Sequence, residues 1–130
     1  MSIVGIGTDL VEIDRLAALQ QRYAVRFTER LLAPAEQAGY QASAHCDRKA
    51  AAFLARRFAA KEAAAKALGC GIGAQARLTE LVVTHTTAGA PCLTMTGAAR
   101  RQADRLGVRC AHLSISDERD HALAFVILER

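Results

Sequence analysis

The sequence contains no tryptophan, two prolines, four phenylalanines and two tyrosines in 130 residues, an aromatic share of 5%. So few rings leave little on which bases could stack, which counts against single-stranded nucleic-acid binding. No apolar run approaches the ~20 residues that cross a bilayer. Met1-Ser2-Ile3-Val4 runs straight into Gly5 and Asp9, with neither a basic start nor a sustained apolar core, so no secretory signal is expected. Cys46, Cys70, Cys92 and Cys110 form no CxxC pair, which removes a zinc ribbon and a thioredoxin-type motif. His45, His85, His112 and His121 lack HExxH spacing, so a zinc site has no support either. These absences predict a cytoplasmic, reduced protein whose cysteines behave as small core residues.

What is present is ordinary for a folded chain: 52% hydrophobic and 23% charged residues. The length suits one domain with a real core, without repeats or linkers, over residues 1–130. Lys and Arg number 17 against 13 Asp and Glu, a net +4. That mild surplus fits a phosphate ligand, an acidic protein or a nucleic acid, and does not choose among them.

Residues 2–14 are β-branched and glycine-punctuated, which predicts an opening strand and turn. Gly5 and Gly7 leave no side chain where another backbone or a ligand could come close. Short helical patterns follow at Arg15 to about Ala24 and around Thr28–Ala38. The clearest helix spans Asp47–Leu68, rich in alanine, with Asp47 as N-cap and Gly69 as its stop. Strands are predicted over Glu80–Thr87 and Cys92–Thr96 around a turn ending at Pro91. A helix over Gly97–Leu106, ended by Gly107, precedes strands at Arg109–Ser116 and His121–Glu129. The sum is an α+β fold: one antiparallel sheet packed against a long Ala-rich helix.

Several residues could carry chemistry. Asp9, after two glycines and beside a strand, could serve a hard cation such as Mg²⁺, which favours carboxylate oxygens together with substrate phosphate; a turn aspartate bonding its own backbone is the plainer reading. Glu62 and Lys66 are four apart, so they rise from one helix face, with Phe58 a turn earlier. They form either a solvated ion pair or a metal-holding carboxylate beside a phosphate-neutralising ammonium at a cleft edge. Gly69-Cys70-Gly71-Ile72-Gly73 follows a helix instead of opening one, so it reads as a helix C-cap more readily than as a phosphate loop. Cys110, His112, Ser114 and Ser116 share one strand face, but no GxSxG elbow exists to make a hydrolase of them. Arg15, Arg22, Arg26 and Arg30 fall at helix-like intervals, either a solvated basic face or a docking surface for an acidic helix.

Three stretches together resemble the holo-[acyl-carrier-protein] synthase family, the small bacterial type of 4′-phosphopantetheinyl transferase. They are GIGTDLVEIDR at 5–15, FLARRFAAKEAAAKALGCGIG at 53–73 and HLSISDERDHALAFVILE at 112–129. The resemblance implies transfer of 4′-phosphopantetheine from coenzyme A to a serine of apo-acyl carrier protein, releasing adenosine 3′,5′-bisphosphate, in fatty acid biosynthesis. It implies Asp9 and Glu62 as Mg²⁺ ligands, Glu62 or a metal-held water as base, and Lys66 beside the pyrophosphate. By the same likeness Arg57, Gly69, Gly71, Pro91 and His112 contact coenzyme A. Arg15, with Arg22 and Arg26, receives the carrier's acidic helix, and the protein is a homotrimer with sites at subunit interfaces. Asp117 and Cys70 depart from the family's usual residues and receive no role, and Ala90 stands where many relatives carry a basic residue. Two rival classes make different predictions: a non-catalytic binding module gives binding without product, and a nucleic-acid binder loses affinity steeply with salt.

Overall fold

The computed structural model describes residues 1–130. The chain forms β1 (Ile3–Glu12), α1 (Ile13–Tyr23), α2 (Val25–Leu31), α3 (Gln37–Ser43) and the long α4 (Asp47–Ala67). The hairpin β2 (Leu81–His85) and β3 (Pro91–Met95) follows, then α5 (Gly97–Leu106), β4 (Cys110–Asp117) and β5 (His121–Glu129). One antiparallel sheet has the order β1-β5-β4, and β2 and β3 form a second, two-stranded one. The α+β class holds, with the strands divided between two sheets.

The main sheet is two-faced by its period-two alternation. Ala122, Ala124, Val126 and Leu128 of β5 point inward at 0% exposure. Leu123 and Phe125 of the same strand point outward, with Ile6 and Leu10 of β1 beside them. Against the inner face lies α4, thirteen of whose residues are buried, most of them alanines. Small side chains let helix and sheet approach closely, and Gly5 and Gly7 complete the fit. A Cβ on Gly5 would stand 1.9 Å from the Ala67 carbonyl oxygen, and one on Gly7 2.0 Å from that of Ala63. The glycine pair thus serves backbone contact between β1 and α4.

Three local expectations need correction. The helix predicted around Thr28–Ala38 is two helices: α2 stops at Leu31, Leu32 and Ala33 are extended, and Pro34–Glu36 forms a 3₁₀ turn leading into α3. Pro34 is the cause, because the residue before a proline is driven out of the helical region. The N-cap of α4 is Cys46, and Asp47 is its first helical residue, making no capping hydrogen bond. Its charge still opposes the positive end of the helix dipole. The cysteines are all free, but three are half-buried and Cys110 is exposed, so none belongs to the core. Gly69 and Gly107 end their helices as expected, both at φ +78.

Candidate active site

Asp9 lies on the inner face of β1, between Gly7 and Val11, so the alternation that buries Val11 aims the carboxylate at α4. From α4, Glu62 and Lys66 reach the same place. The Lys66 ammonium donates to the Thr8 carbonyl at 2.9 Å and to Asp9 Oδ1 at 3.2 Å. The expected helical pairing of Lys66 with Glu62 is therefore replaced by a pairing across to the sheet. Asp9 is 16% exposed at its side chain and Lys66 53%, so the group lies at an open edge.

Glu62 is half-buried, and the fold leaves it in an unusual state. Burial pushes its carboxyl above the ordinary carboxylate range, and the Asp9 charge pushes it the same way. Lys66 and Arg15 pull it back only in part. Two acids share one edge, a pair of carboxylates suited to a hard divalent cation together with a ligand's phosphate. Arg15 belongs to this neighbourhood through α1: its guanidinium lies 5.3 Å from the centroid of the Phe58 ring, one turn before Glu62.

The remaining residues named from the sequence lie elsewhere. Arg57 is buried, with Nε 3.3 Å from Glu36 Oε2 and its guanidinium 4.6 Å from the Phe53 centroid. It therefore faces the interior on a neighbouring stripe of α4 and does not reach Glu62. Pro91 opens β3 opposite His85. His112 is on the outward face of β4, 2.5 Å from Glu129 Oε1, with the sheet between it and α4. Gly69 and Gly71 come three and five residues after Lys66, both with positive φ. The Cys70 and Gly71 amides bond the Ala65 carbonyl, as a helix cap would, so they are not free to cradle a phosphate. Asp117 pairs with Arg56 at 3.1 Å. Arg15, Arg22 and Arg26 form no ion pair within the chain. Arg26 lines a groove of about 370 Å³ with Leu19, Tyr23, Phe27 and Arg30.

Reading the sequence missed a second ionic group. Lys61, at 0% exposure, donates to Glu36 Oε1 at 2.6 Å and to the carbonyls of Leu31 at 2.6 Å and Leu78 at 2.9 Å. The available signal was a lysine four residues after Arg57 and eight after Phe53, on a helix stripe whose other residues are mostly alanine and leucine.

The comparisons agree with this architecture. Residues 5–126 match the family model of the 4′-phosphopantetheinyl transferase superfamily. The holo-[acyl-carrier-protein] synthase of Alkalilimnicola ehrlichii is 54% identical over 98% of this chain and 97% of its own length. That of Halorhodospira halophila is 50% identical over 97% of each. Among solved structures, the synthase of Neisseria meningitidis superposes with a TM-score of 0.90 at 36% identity, covering 99% of this chain and 100% of that one. The Helicobacter pylori synthase in complex with coenzyme A gives 0.82 at 28% identity over 95% and 99%. A matching fold, near-complete coverage and an acidic pair facing one lysine lead to one conclusion: the chain belongs to the 4′-phosphopantetheinyl transferase superfamily, among the holo-[acyl-carrier-protein] synthases, enzymes that place phosphopantetheine on apo-acyl carrier protein.

Proposed function

We propose that residues 1–130 form one catalytic domain that transfers 4′-phosphopantetheine from coenzyme A to a carrier serine, using Asp9, Glu62 and Lys66 around Mg²⁺. The observation that carries this reading is the placement of two acids on either side of the β1–α4 contact: Asp9, paired with Lys66, lies close enough to the half-buried Glu62 for its charge to act on it. Asp9 and Glu62 would hold the ion, which when bound supplies positive charge to the pyrophosphate. The serine oxygen forms a new bond to the phosphorus of the pantetheine phosphate, and the bond from that phosphorus to the bridging oxygen breaks. The departing group is adenosine 3′,5′-bisphosphate. The serine proton leaves to the Glu62 carboxylate, directly or through a water. Lys66, half-exposed and one helical turn on, neutralises the leaving phosphate.

Coenzyme A would be bound in two halves. Gly69 and Gly71 stand three and five residues after Lys66, whereas Pro91 and His112 lie apart from it in the single chain, so a neighbouring copy would complete the site; Arg57, buried against Glu36, would not reach it. The outward sheet face supports association: Ile6 is 60% exposed, Leu10 65%, Leu123 43% and Phe125 38%, with His112 on the same face. A homotrimer with sites between subunits is the assembly proposed. The carrier's acidic helix would dock on Arg15, Arg22 and Arg26. The solved Helicobacter pylori complex with coenzyme A supports the donor. No helix is long and apolar enough to cross a membrane, and we place the enzyme in the cytoplasm, serving fatty acid biosynthesis.

The test is to mix the protein, Mg²⁺, coenzyme A and apo-acyl carrier protein and weigh the carrier by mass spectrometry. A metal-dependent gain of one phosphopantetheine, with adenosine 3′,5′-bisphosphate released, is expected. Binding of both ligands without product would leave only a binding module. Light scattering on the same sample checks for the trimer.

A further inference from the structure

Arginines in this protein are held by carboxylates, by aromatic rings or, at Arg57, by both. Arg48 is held by carboxylates, at 2.9 Å from Asp14 and 3.7 Å from Asp120. Arg56 is held by Asp117 and Arg57 by Glu36. Each of these cations is neutralised inside the chain. Arg15 is held by a ring alone: its guanidinium lies 5.3 Å from the Phe58 centroid, and no acid of the chain pairs with it. Asp14, its neighbour in sequence, is occupied by Arg48.

The difference has a chemical meaning. A carboxylate partner consumes donors and charge, so an incoming acid must compete with it. An aromatic face attracts the cation through its quadrupole and fixes the plane of the guanidinium, while the five N–H donors around its edge stay free. Phe58 is half-buried in α4, so its ring is anchored by the fold, and Glu62 follows it by one turn on the same face. The ring thus presents a free, oriented cation beside the carboxylate that is to receive the serine proton.

We propose that Phe58 is a positioning residue for the carrier: it holds Arg15 in the orientation that meets an acidic side chain next to the acceptor serine. The inference rests on Arg15 belonging to the docking surface. Pre-orientation lowers the entropy lost when two long side chains must find one geometry, so its effect falls on recognition of the carrier and not on coenzyme A.

The experiment varies apo-acyl carrier protein at saturating coenzyme A for Arg15→Gln, Phe58→Leu, the double variant and Phe58→Tyr, with coenzyme A affinity measured separately by calorimetry. Phe58→Leu is expected to raise KM for the carrier about two- to five-fold, the scale of a partly exposed cation–ring contact. Its kcat and coenzyme A affinity should stay unchanged. The double variant should be no worse than Arg15→Gln, and Phe58→Tyr, which keeps a ring, should behave like the parent. If Phe58→Leu does not fold, Phe58→Met removes the ring with less loss of shape and is read in the same way. A Phe58 effect that persists in the Arg15→Gln background, that falls equally on coenzyme A, or that is absent while Arg15→Gln still raises KM overturns this inference alone. An unchanged KM in Arg15→Gln overturns the docking reading and this inference with it.

Discussion

Lys61 and Glu62 are neighbours in sequence on one helix, yet each belongs to an ionic group of opposite character. Lys61 has 0% exposure, and its three donors are all taken, by Glu36 and two carbonyls. Glu36 is equally satisfied: it also accepts from the Ala33 amide at 2.9 Å and the Val83 amide at 3.2 Å, and it pairs with Arg57. Burial lowers the proton affinity of Lys61 and Glu36 opposes that, so charge answers charge. On the other stripe, Asp9 takes Lys66 at an open edge, and Glu62 is left without an ion-pair partner and with a raised proton affinity. A closed group, in which Lys61 has every donor matched and Arg57 keeps an ion pair to Glu36 with its Nε left without a hydrogen bond, ties α4 to the chain around it. An open group that leaves one acid, Glu62, without an ion-pair partner is ready to bind and react.

The sharpest way to break this contrast is to neutralise one acid in each group. Glu62→Gln should lower transfer by about 10²–10⁴-fold, the range of a lost general base, and Asp9→Asn should also abolish detectable product. Neither should unfold the protein. Because burial and Asp9 disfavour the Glu62 charge, Glu62→Gln should be at least as stable as the parent in urea without metal. Near-normal turnover by mass spectrometry would refute the role of the open group.

Glu36→Leu should do the opposite. It strands two buried cations, and loss of one member of such a cluster costs about 3–5 kcal/mol. Urea unfolding should show that loss, while turnover per folded molecule stays close to the parent value. A stable Glu36→Leu variant would show that the buried group is dispensable.

A smaller effect, on both groups at once, is expected from Gly7→Ala. Its methyl would meet the Ala63 carbonyl at 2.0 Å and force β1 off α4. The cost is about 1–3 kcal/mol, typical of overpacking, with a parallel fall in kcat as Asp9 retreats from Glu62. A loss of stability with unchanged kcat would mean that the strand's distance from the helix does not set the site.

The smallest effect concerns Glu80, which lies outside both groups and serves as a structural control. Burial raises its proton affinity, but amide donors outweigh that: Arg77 N at 2.9 Å and Ala98 N, at the start of α5, also at 2.9 Å. Its carboxyl therefore stays below the usual value of 4.5. A depressed acid stabilises the fold above its unfolded pKa and loses that contribution as pH falls through the folded one. Glu80→Gln should cost about 0.5–2 kcal/mol at pH 7, as a lost cap does. The gap from the parent should close in urea titrations below pH 4.5. A gap that persists there would assign the loss to packing.

Much of this was legible along the chain. The alanine run, Gly69 and Gly107 mark α4 and α5 because propensity and left-handed caps are local properties. Gly5, Gly7 and Asp9, with Glu62 and Lys66, stand out by residue type and spacing. The 3₁₀ turn at Pro34–Glu36 was misread because a helical spacing of apolar residues masked the proline's effect on Ala33. The Glu36–Lys61 pair was missed because its partners are far apart in sequence and each looks like a surface residue by type.

The sequence by itself determined the long alanine-rich helix, the main strands, the family resemblance and the identity of the acids and cations, since propensity, caps and residue chemistry are local and the family motifs are written in residue order. Only the tertiary structure decided which charges are matched. Lys66 turns to Asp9, Arg57 turns inward to Glu36, and Arg15 rests on a ring. Partner choice depends on distance and burial across α4, the sheet and α1, and the energy of a charge is set by what surrounds it.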